Sequence, residues 1–279
     1  AGRLIMEIAM NRDHFIELAT PEAVHSVAEK TGKAARLLRE AARDYAPVVF
    51  ANSFGAEDMV LTDLIWGHGT DGPDIGIFSL DTGRLPAATY ELIARAERHY
   101  GRRLEILYPE RSSVETLVGT HGINGFYDSV DARKACCHAR KVEPLRRALD
   151  GKKAWVTGLR AAQSPTREAL KPVTFDETFG LVKINPLADW TEHDVWIYLH
   201  GRSVPYNALH DQDYPSIGCA PCTRAVRPGE DIRAGRWWWE SPATKECGLH
   251  VVDGRLQRSA PALVKVSHGD TPASRKVAA

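Results

Sequence analysis

Five cysteines carry the clearest chemical signal in this chain. Cys136 and Cys137 are adjacent, Cys219 and Cys222 form a C-x-x-C, and Cys247 stands alone. Five is odd, so the thiols cannot all pair within one chain, and five in 279 residues are too few for a secreted disulfide framework. The natural partition is four plus one. Cys136 and Cys137 fall in a segment that reads as helix, where neighbouring side chains diverge by about 100°. Two such thiolates share one ion only under strain, whereas an iron-sulfur cube offers separate iron atoms to separate thiolates. Gly218 and Pro221 shape a knuckle around the second pair. The spacing favours a metal, leaves zinc and iron both open, and has four buried free thiols as its plain alternative.

Cys247 has different neighbours. Lys245 and His250 lie within reach to favour its thiolate, which is how a cysteine becomes nucleophilic near neutral pH. An inert exposed thiol is the alternative. Basic residues flank the paired cysteines on both sides: Arg133, Lys134, Arg140, Lys141, Arg146 and Arg147, then Arg224, Arg227, Arg233 and Arg236. Some of these, Arg146 and Arg147 in particular, need be no more than a solvated helix face. Two such clusters beside a thiolate-rich site nevertheless point to a pocket for a substrate with two or more negative charges. Arg233 and Arg236, three apart, share a face if that stretch is helical. Trp237, Trp238 and Trp239 read as packing.

Elements that position these residues are legible around them. Residues 47–52 read as a buried strand, followed by Ser53-Phe54-Gly55-Ala56-Glu57-Asp58 and the apolar-periodic residues 59–65. The strand-to-helix turn aims backbone N–H groups at a helix N-terminus, where a phosphate or sulfate is favoured and Ser53 can add a hydroxyl donor. Many such turns use Ser and Gly for geometry alone, and this one is not a G-x-x-x-x-G-K-[ST] loop. Further strands are expected at 75–80, 103–107 and 154–158, and helices at 86–99 and 133–149. This alternation predicts an α/β fold with a doubly wound, mainly parallel sheet. After Gly158 come a polar loop, a hairpin over 173–184, and a helix over 191–199 that Thr191 and Asp194 open as a capping box. Residues 201–254 lose regular periodicity, and an irregular stretch of that length in a compact enzyme usually holds a metal, ligand or partner.

Composition narrows the classes. With 43% hydrophobic and 26% charged residues the chain is an ordinary globular protein, long enough to bury a core without staples. Lys+Arg 36 against Asp+Glu 36 leaves no global field to draw in nucleic acid or an acidic membrane. No window approaches about 20 continuous apolar residues, and residues 1–10 lack the layout of a secretory signal, so a cytoplasmic protein is expected.

Taken together, these motifs resemble the assimilatory sulfonucleotide reductases, specifically the iron-sulfur adenylyl-sulfate (APS) reductases. The likeness runs from about Val48 to His250. It rests on Ser53-Phe54-Gly55-Ala56-Glu57-Asp58, Leu80-Asp81-Thr82-Gly83, Cys136-Cys137 with Arg140-Lys141-Val142-Glu143-Pro144-Leu145, Gln163-Ser164-Pro165-Thr166-Arg167, Ile217-Gly218-Cys219 to Cys222-Thr223-Arg224, Gly235-Arg236-Trp237-Trp238-Trp239-Glu240, and Lys245-Glu246-Cys247-Gly248-Leu249-His250.

The resemblance implies a Rossmann-like, adenine nucleotide alpha hydrolase-like fold with an irregular cysteine-bearing C-terminal segment. Residues 1–240 would form the nucleotide- and cluster-binding domain, and 241–279 a mobile segment carrying the catalytic Cys247. It implies that Cys247 attacks the sulfur of APS, that a thioredoxin-like dithiol releases sulfite, and that Cys136, Cys137, Cys219 and Cys222 hold a [4Fe-4S] cluster. It assigns Lys141, Arg233, Arg236 and His250 to the phosphosulfate, Ser53 to an altered pyrophosphate loop, Leu80 and Gly158 to backbone contacts with adenosine, and Arg167 to the active site. A homo-oligomer is implied as well. The pattern departs at Pro86-Ala87-Ala88, where many relatives carry His-Pro-Glu, and in a tail longer than expected. Rival readings are a 3′-phospho-APS (PAPS) reductase or an enzyme accepting both nucleotides, an ATP-adenylating thiolase or ligase, which the single Gly55 disfavours, and a zinc-knuckle RNA-binding module.

Overall fold

The computed structural model describes residues 19–163 and 170–241. Helix α1, Pro21–Asp44, opens the described chain. The Thr20 hydroxyl accepts from Ala23 N at 3.2 Å, Pro21 sits in the first turn, and Val27, Ala34, Leu38 and Ala41 form its buried stripe. Then come β1 (Val48–Ala51), α2 (Ala56–Trp66), β2 (Ile75–Leu80), α3 (Ala87–Tyr100) and β3 (Glu105–Leu107). Gly101 takes the left-handed conformation that ends α3, with φ 62°. Helices α4 (Arg111–His121) and α5 (Val130–Cys137) follow, then α6 (Glu143–Leu149) and β4 (Ala154–Val156). The hairpin β5 (Val173–Asp176) and β6 (Leu181–Ile184) precedes α7, Glu192–Gly201. The expected capping box is present on α7, with Thr191 and Asp194 each satisfying the other's backbone N–H.

The six strands order as β3-β2-β1-β4-β6-β5, all parallel except the antiparallel edge strand β5. Alternate residues serve opposite faces. Val48, Phe50, Ala154 and Val156 join the large core with residues of α1, α2 and α7, while Val49 and Trp155 pack with Leu145, Ala148 and Leu149 of α6. Helix α2 is buried on nearly every side, its apolar Met59, Val60, Leu61, Leu64, Ile65 and Trp66 together with the polar Asp58, Thr62 and Asp63.

The chain steps outward from β1 through β2 to β3, then crosses back to place β4 on the other side of β1. That reversal opens a crevice beyond the carboxyl ends of β1 and β4, where open α/β sheets bind ligands. One expectation needs correcting. Residues 133–149 are not a single regular helix: a wide π-type turn, His138–Val142, separates α5 from α6. It inserts an extra residue into the helical path directly after the cysteine pair and redirects Arg140 and Lys141. Among the described residues no helix is long and apolar enough to cross a membrane. Apart from Ser241, the expected C-terminal segment lies outside the described residues.

Candidate functional site

A cavity of about 270 Å3 occupies the crevice. Its floor is the turn after β1. Phe54 takes φ 61° there, held by the Asn52 Oδ1 that accepts from its N–H at 2.6 Å, and Asn52 is fixed in turn by Thr62 at 2.8 Å. Gly55 caps α2 with no side-chain bond, leaving the helix N-terminus facing the cavity.

Ser53, expected to serve an anion, has both donors engaged within the loop. Its N–H and its hydroxyl each donate to Asp58 Oδ2 at 2.6 Å. Burial pushes the Asp58 carboxyl up to about 7; the Ser53 bonds oppose this without cancelling it, and Glu57 adds to it. Glu57 behaves differently. Burial works against its charge, yet Arg160, which donates to it at 2.8 and 2.7 Å, holds its carboxyl below the usual value, with Gln163 donating at 3.0 Å. Gly158 admits this arrangement, since a Cβ there would lie 2.1 Å from Asp58 Oδ1.

The folded protein keeps the Asp58 proton up to about pH 7, whereas the unfolded chain releases it in the ordinary carboxylate range. The folded state therefore binds more protons over that interval, and the Asp58 contribution to stability declines as pH rises through it, levelling off above about 7. Asp58→Asn keeps an acceptor for Ser53 but no charge, so its Tm should gain on the wild type between pH 5 and pH 8. Thermal melts at the two pH values check this, and an unchanged Tm difference contradicts it.

Cations close the opposite wall. Lys141 from the π-type turn, with Arg233 and Arg236 from the irregular segment, lines the same cavity. Arg140, the neighbour of Lys141, points elsewhere and donates to Thr82 O at 2.7 Å. Arg236 reaches Ile217 O at 3.2 Å and Ser216 Oγ at 3.4 Å, and its guanidinium lies so close to Gly218 that a Cβ there would sit 2.3 Å from Nη2.

The four paired cysteines come together beside that wall. Cys222 is packed with Phe126 and Trp237, with Cys136, Cys219 and Trp239 against them. Burial raises the Cys222 thiol to about 12, reinforced by the charges of Cys219 and Cys137, and Cys136 is likewise raised by burial and by Cys219. Cys219 goes the other way: Lys141, a 3.3 Å bond with Thr82, Arg236 and Arg140 outweigh its burial and favour its thiolate. Thiols that penalise one another's ionisation at close quarters are a donor set that a cationic metal group would relieve. Among the described residues no three His, Cys, Asp or Glu side chains converge on a site for one metal ion. A multi-iron cube, with one iron for each thiolate, does not require such convergence.

Six of the residues singled out from the sequence, Ser53, Leu80, Lys141, Gly158, Arg233 and Arg236, therefore line one cavity, and Cys136, Cys137, Cys219 and Cys222 adjoin it. Arg167, Cys247 and His250 lie outside the described residues. Sequence reasoning missed Thr82, Arg160, Glu192 and His210 as cavity residues. Of these only Thr82 had a signal, its place after Leu80-Asp81 at a strand end; the others are brought in by chain crossings. Trp237 is buried as expected, while Trp238 is 40% exposed.

Comparison with known proteins agrees with this geometry. The chain is 58% identical to the adenosine 5′-phosphosulfate reductase of Allochromatium vinosum over 78% of its own length and 84% of the relative's. It is 54% identical to that of Burkholderia cepacia over 83% and 90%. Among solved structures, a phosphoadenylyl-sulfate (PAPS) reductase from Candida auris in a phosphate complex superposes with TM-score 0.59 at 27% identity, covering 75% of this chain and 98% of that one. A Candida glabrata FMN adenylyltransferase, at 16% identity and TM-score 0.52 over 75% and 68%, shares the fold. The family model for the phosphoadenosine phosphosulfate reductase domain matches residues 47–225, and the chain belongs to that family.

Proposed function

We propose that this protein reduces adenosine 5′-phosphosulfate to sulfite and AMP in assimilatory sulfate reduction. One observation carries the reading: the cationic wall of the nucleotide-sized cavity and the four-cysteine cluster are built from the same two segments, residues 136–141 and 218–236. The naming of relatives at 58% and 54% identity supports APS as the substrate.

The adenosine would lie over the carboxyl ends of β1, β2 and β4, against Leu80 and Gly158, with the phosphosulfate toward Lys141, Arg233 and Arg236. Arg167 and His250 complete that set in this reading. The Cys247 thiolate attacks the sulfate sulfur, an S–S bond forms, the S–O bond to phosphate breaks, and AMP leaves with the electron pair. The fixed cations are suited to stabilise the charge that gathers on the departing phosphate. One thiol of a thioredoxin-type dithiol then attacks the Cys247 sulfur and expels sulfite; its second thiol resolves the mixed disulfide, so the dithiol supplies both electrons. A reaction that consumes reduced dithiol belongs in a reducing compartment such as the cytoplasm. A homo-oligomer is part of the same reading.

Cys136, Cys137, Cys219 and Cys222 would hold a [4Fe-4S] cluster, which when bound supplies a fixed charged group that organises the site rather than electrons. The test is intact-protein mass spectrometry of anaerobically prepared enzyme after incubation with APS and no reductant, beside its iron content. One SO3 added on the Cys247 peptide, with AMP released and PAPS a poorer substrate, is the expected result. Equal kcat/KM for the two nucleotides contradicts the preference for APS, and AMP with pyrophosphate formed from ATP contradicts the reductase reading.

Gly218→Ala probes the cationic wall. The new methyl displaces the Arg236 guanidinium, and losing one charge-assisted grip should weaken APS binding about tenfold. Equilibrium binding checks it, with Tm expected to stay near the wild-type value because the displaced group is the end of a flexible side chain.

A further inference from the structure

Arg133 is fully buried, one turn before the cysteine pair on α5. Its Nε and Nη2 donate to the two carboxylate oxygens of Glu240, each at 2.8 Å, and the Glu240 side chain is only 4% exposed. This fork uses one edge of the guanidinium and leaves N–H donors on the other. The guanidinium also hydrogen-bonds the Cys137 side chain. Its plane lies over the Trp237 ring, 4.7 Å from the centroid, and the same ring carries Arg236 at 4.8 Å. Trp237 is itself tied to the knuckle, its backbone N–H donating to Cys222 O at 3.1 Å, and its backbone holds φ 40°, which a residue with a side chain rarely adopts.

A buried Arg–Glu pair is weak evidence for stability, since desolvation consumes most of the attraction and an apolar pair often does as well. What distinguishes this one is where its remaining contacts go. One contact reaches a candidate cluster ligand, and the other reaches the aromatic ring that backs the cavity arginine. A lysine at this position could supply charge but neither the planar fork nor the stack.

We propose that the Arg133–Glu240 pair is a positioning unit that couples the cluster to the substrate cavity: Glu240 orients Arg133 so that it donates to the Cys137 sulfur and, through Trp237, holds Arg236 in place. The inference rests on the proposed APS reductase reading, with Cys137 as a cluster ligand. Partners outside a metal's own ligands typically change metal affinity or activity about 10- to 100-fold when lost. Glu240→Gln puts an amide N–H against an arginine N–H and breaks the fork at nearly constant volume.

The test compares anaerobically prepared holoenzyme of the wild type, Glu240→Gln and Arg133→Lys. Three readouts are taken: iron content, the rate of iron loss to a chelator, and the Kd for APS without turnover. Both variants are expected to start with wild-type iron, to lose it about tenfold faster, and to bind APS about tenfold more weakly. If both variants merely melt earlier, with wild-type iron-loss rate and Kd below their Tm, the pair is structural and the proposal is overturned. Iron loss accelerated with an unchanged Kd also overturns the coupling. Should Arg133→Lys fail to fold, Glu240→Gln decides alone. A wild type that takes up no iron or binds no APS refutes the parent reading itself, a result distinguishable from failure of the variants.

Discussion

Cys247→Ser is expected to abolish the proposed sulfite adduct and to lower turnover by roughly 10^4-fold or more, the scale on which enzymes lose activity when a nucleophile is removed. A serine hydroxyl is not ionised near neutral pH, and Glu57, a carboxylate of the cavity, is already held by Arg160. The cluster and APS binding should survive, since neither depends on this thiol in the mechanism proposed. Mass spectrometry of the variant incubated with APS, beside its iron content and Kd, checks all three. Turnover at the wild-type rate removes Cys247 from the nucleophile's role, and loss of iron moves it among the ligands.

Cys219→Ala is expected to have the second largest effect, and a double one. Of Cys136, Cys219 and Cys222, only Cys219 has its thiolate favoured, because Lys141, Thr82, Arg236 and Arg140 surround it. Two of these cations, Lys141 and Arg236, also line the cavity. On the proposed reading, removing the sulfur would take a ligand from the cluster and the counter-charge from the wall that Lys141 and Arg236 form. Iron content and visible absorbance should fall to background, and APS affinity should drop about 100-fold, at the upper end for loss of metal-site support. A variant that keeps full iron and colour refutes the four-cysteine assignment. A colourless wild type holding one zinc refutes the cluster and favours the zinc knuckle.

Much of the fold was legible because it is written locally. Strands β1, β2, β4 and the β5–β6 hairpin are short apolar runs between turn residues, and the α7 capping box is a pair three residues apart. Helix α1 carried equally local signals in Thr20-Pro21-Glu22 and an apolar face, and it passed unread, as did α4, whose amphipathic stripe is weak and buries nothing. The π-type turn had no signal of this kind. A one-residue insertion leaves composition and approximate periodicity unchanged, and only the packing of α6 onto Trp155 and Leu181 requires it.

The sequence by itself determined the partition of cysteines into four and one, the strand–turn–helix around Ser53, and two basic clusters in search of an anion. Each depends on residue type and spacing along the chain, which secondary structure converts directly into direction. Tertiary structure decided which cations face the cavity: Lys141 does, while Arg140, one residue away, is spent on Thr82. It also decided that the Ser53 donors meet Asp58 and that Glu57 finds Arg160, 103 residues on. The bond between Arg133 and Glu240, 107 residues apart, belongs with these. The two long-range pairs, Glu57–Arg160 and Arg133–Glu240, exist only because the chain crosses back from β3 to β4 and the irregular segment folds over the carboxyl ends of the strands. Their energies come from desolvation and close approach, neither of which any local pattern encodes.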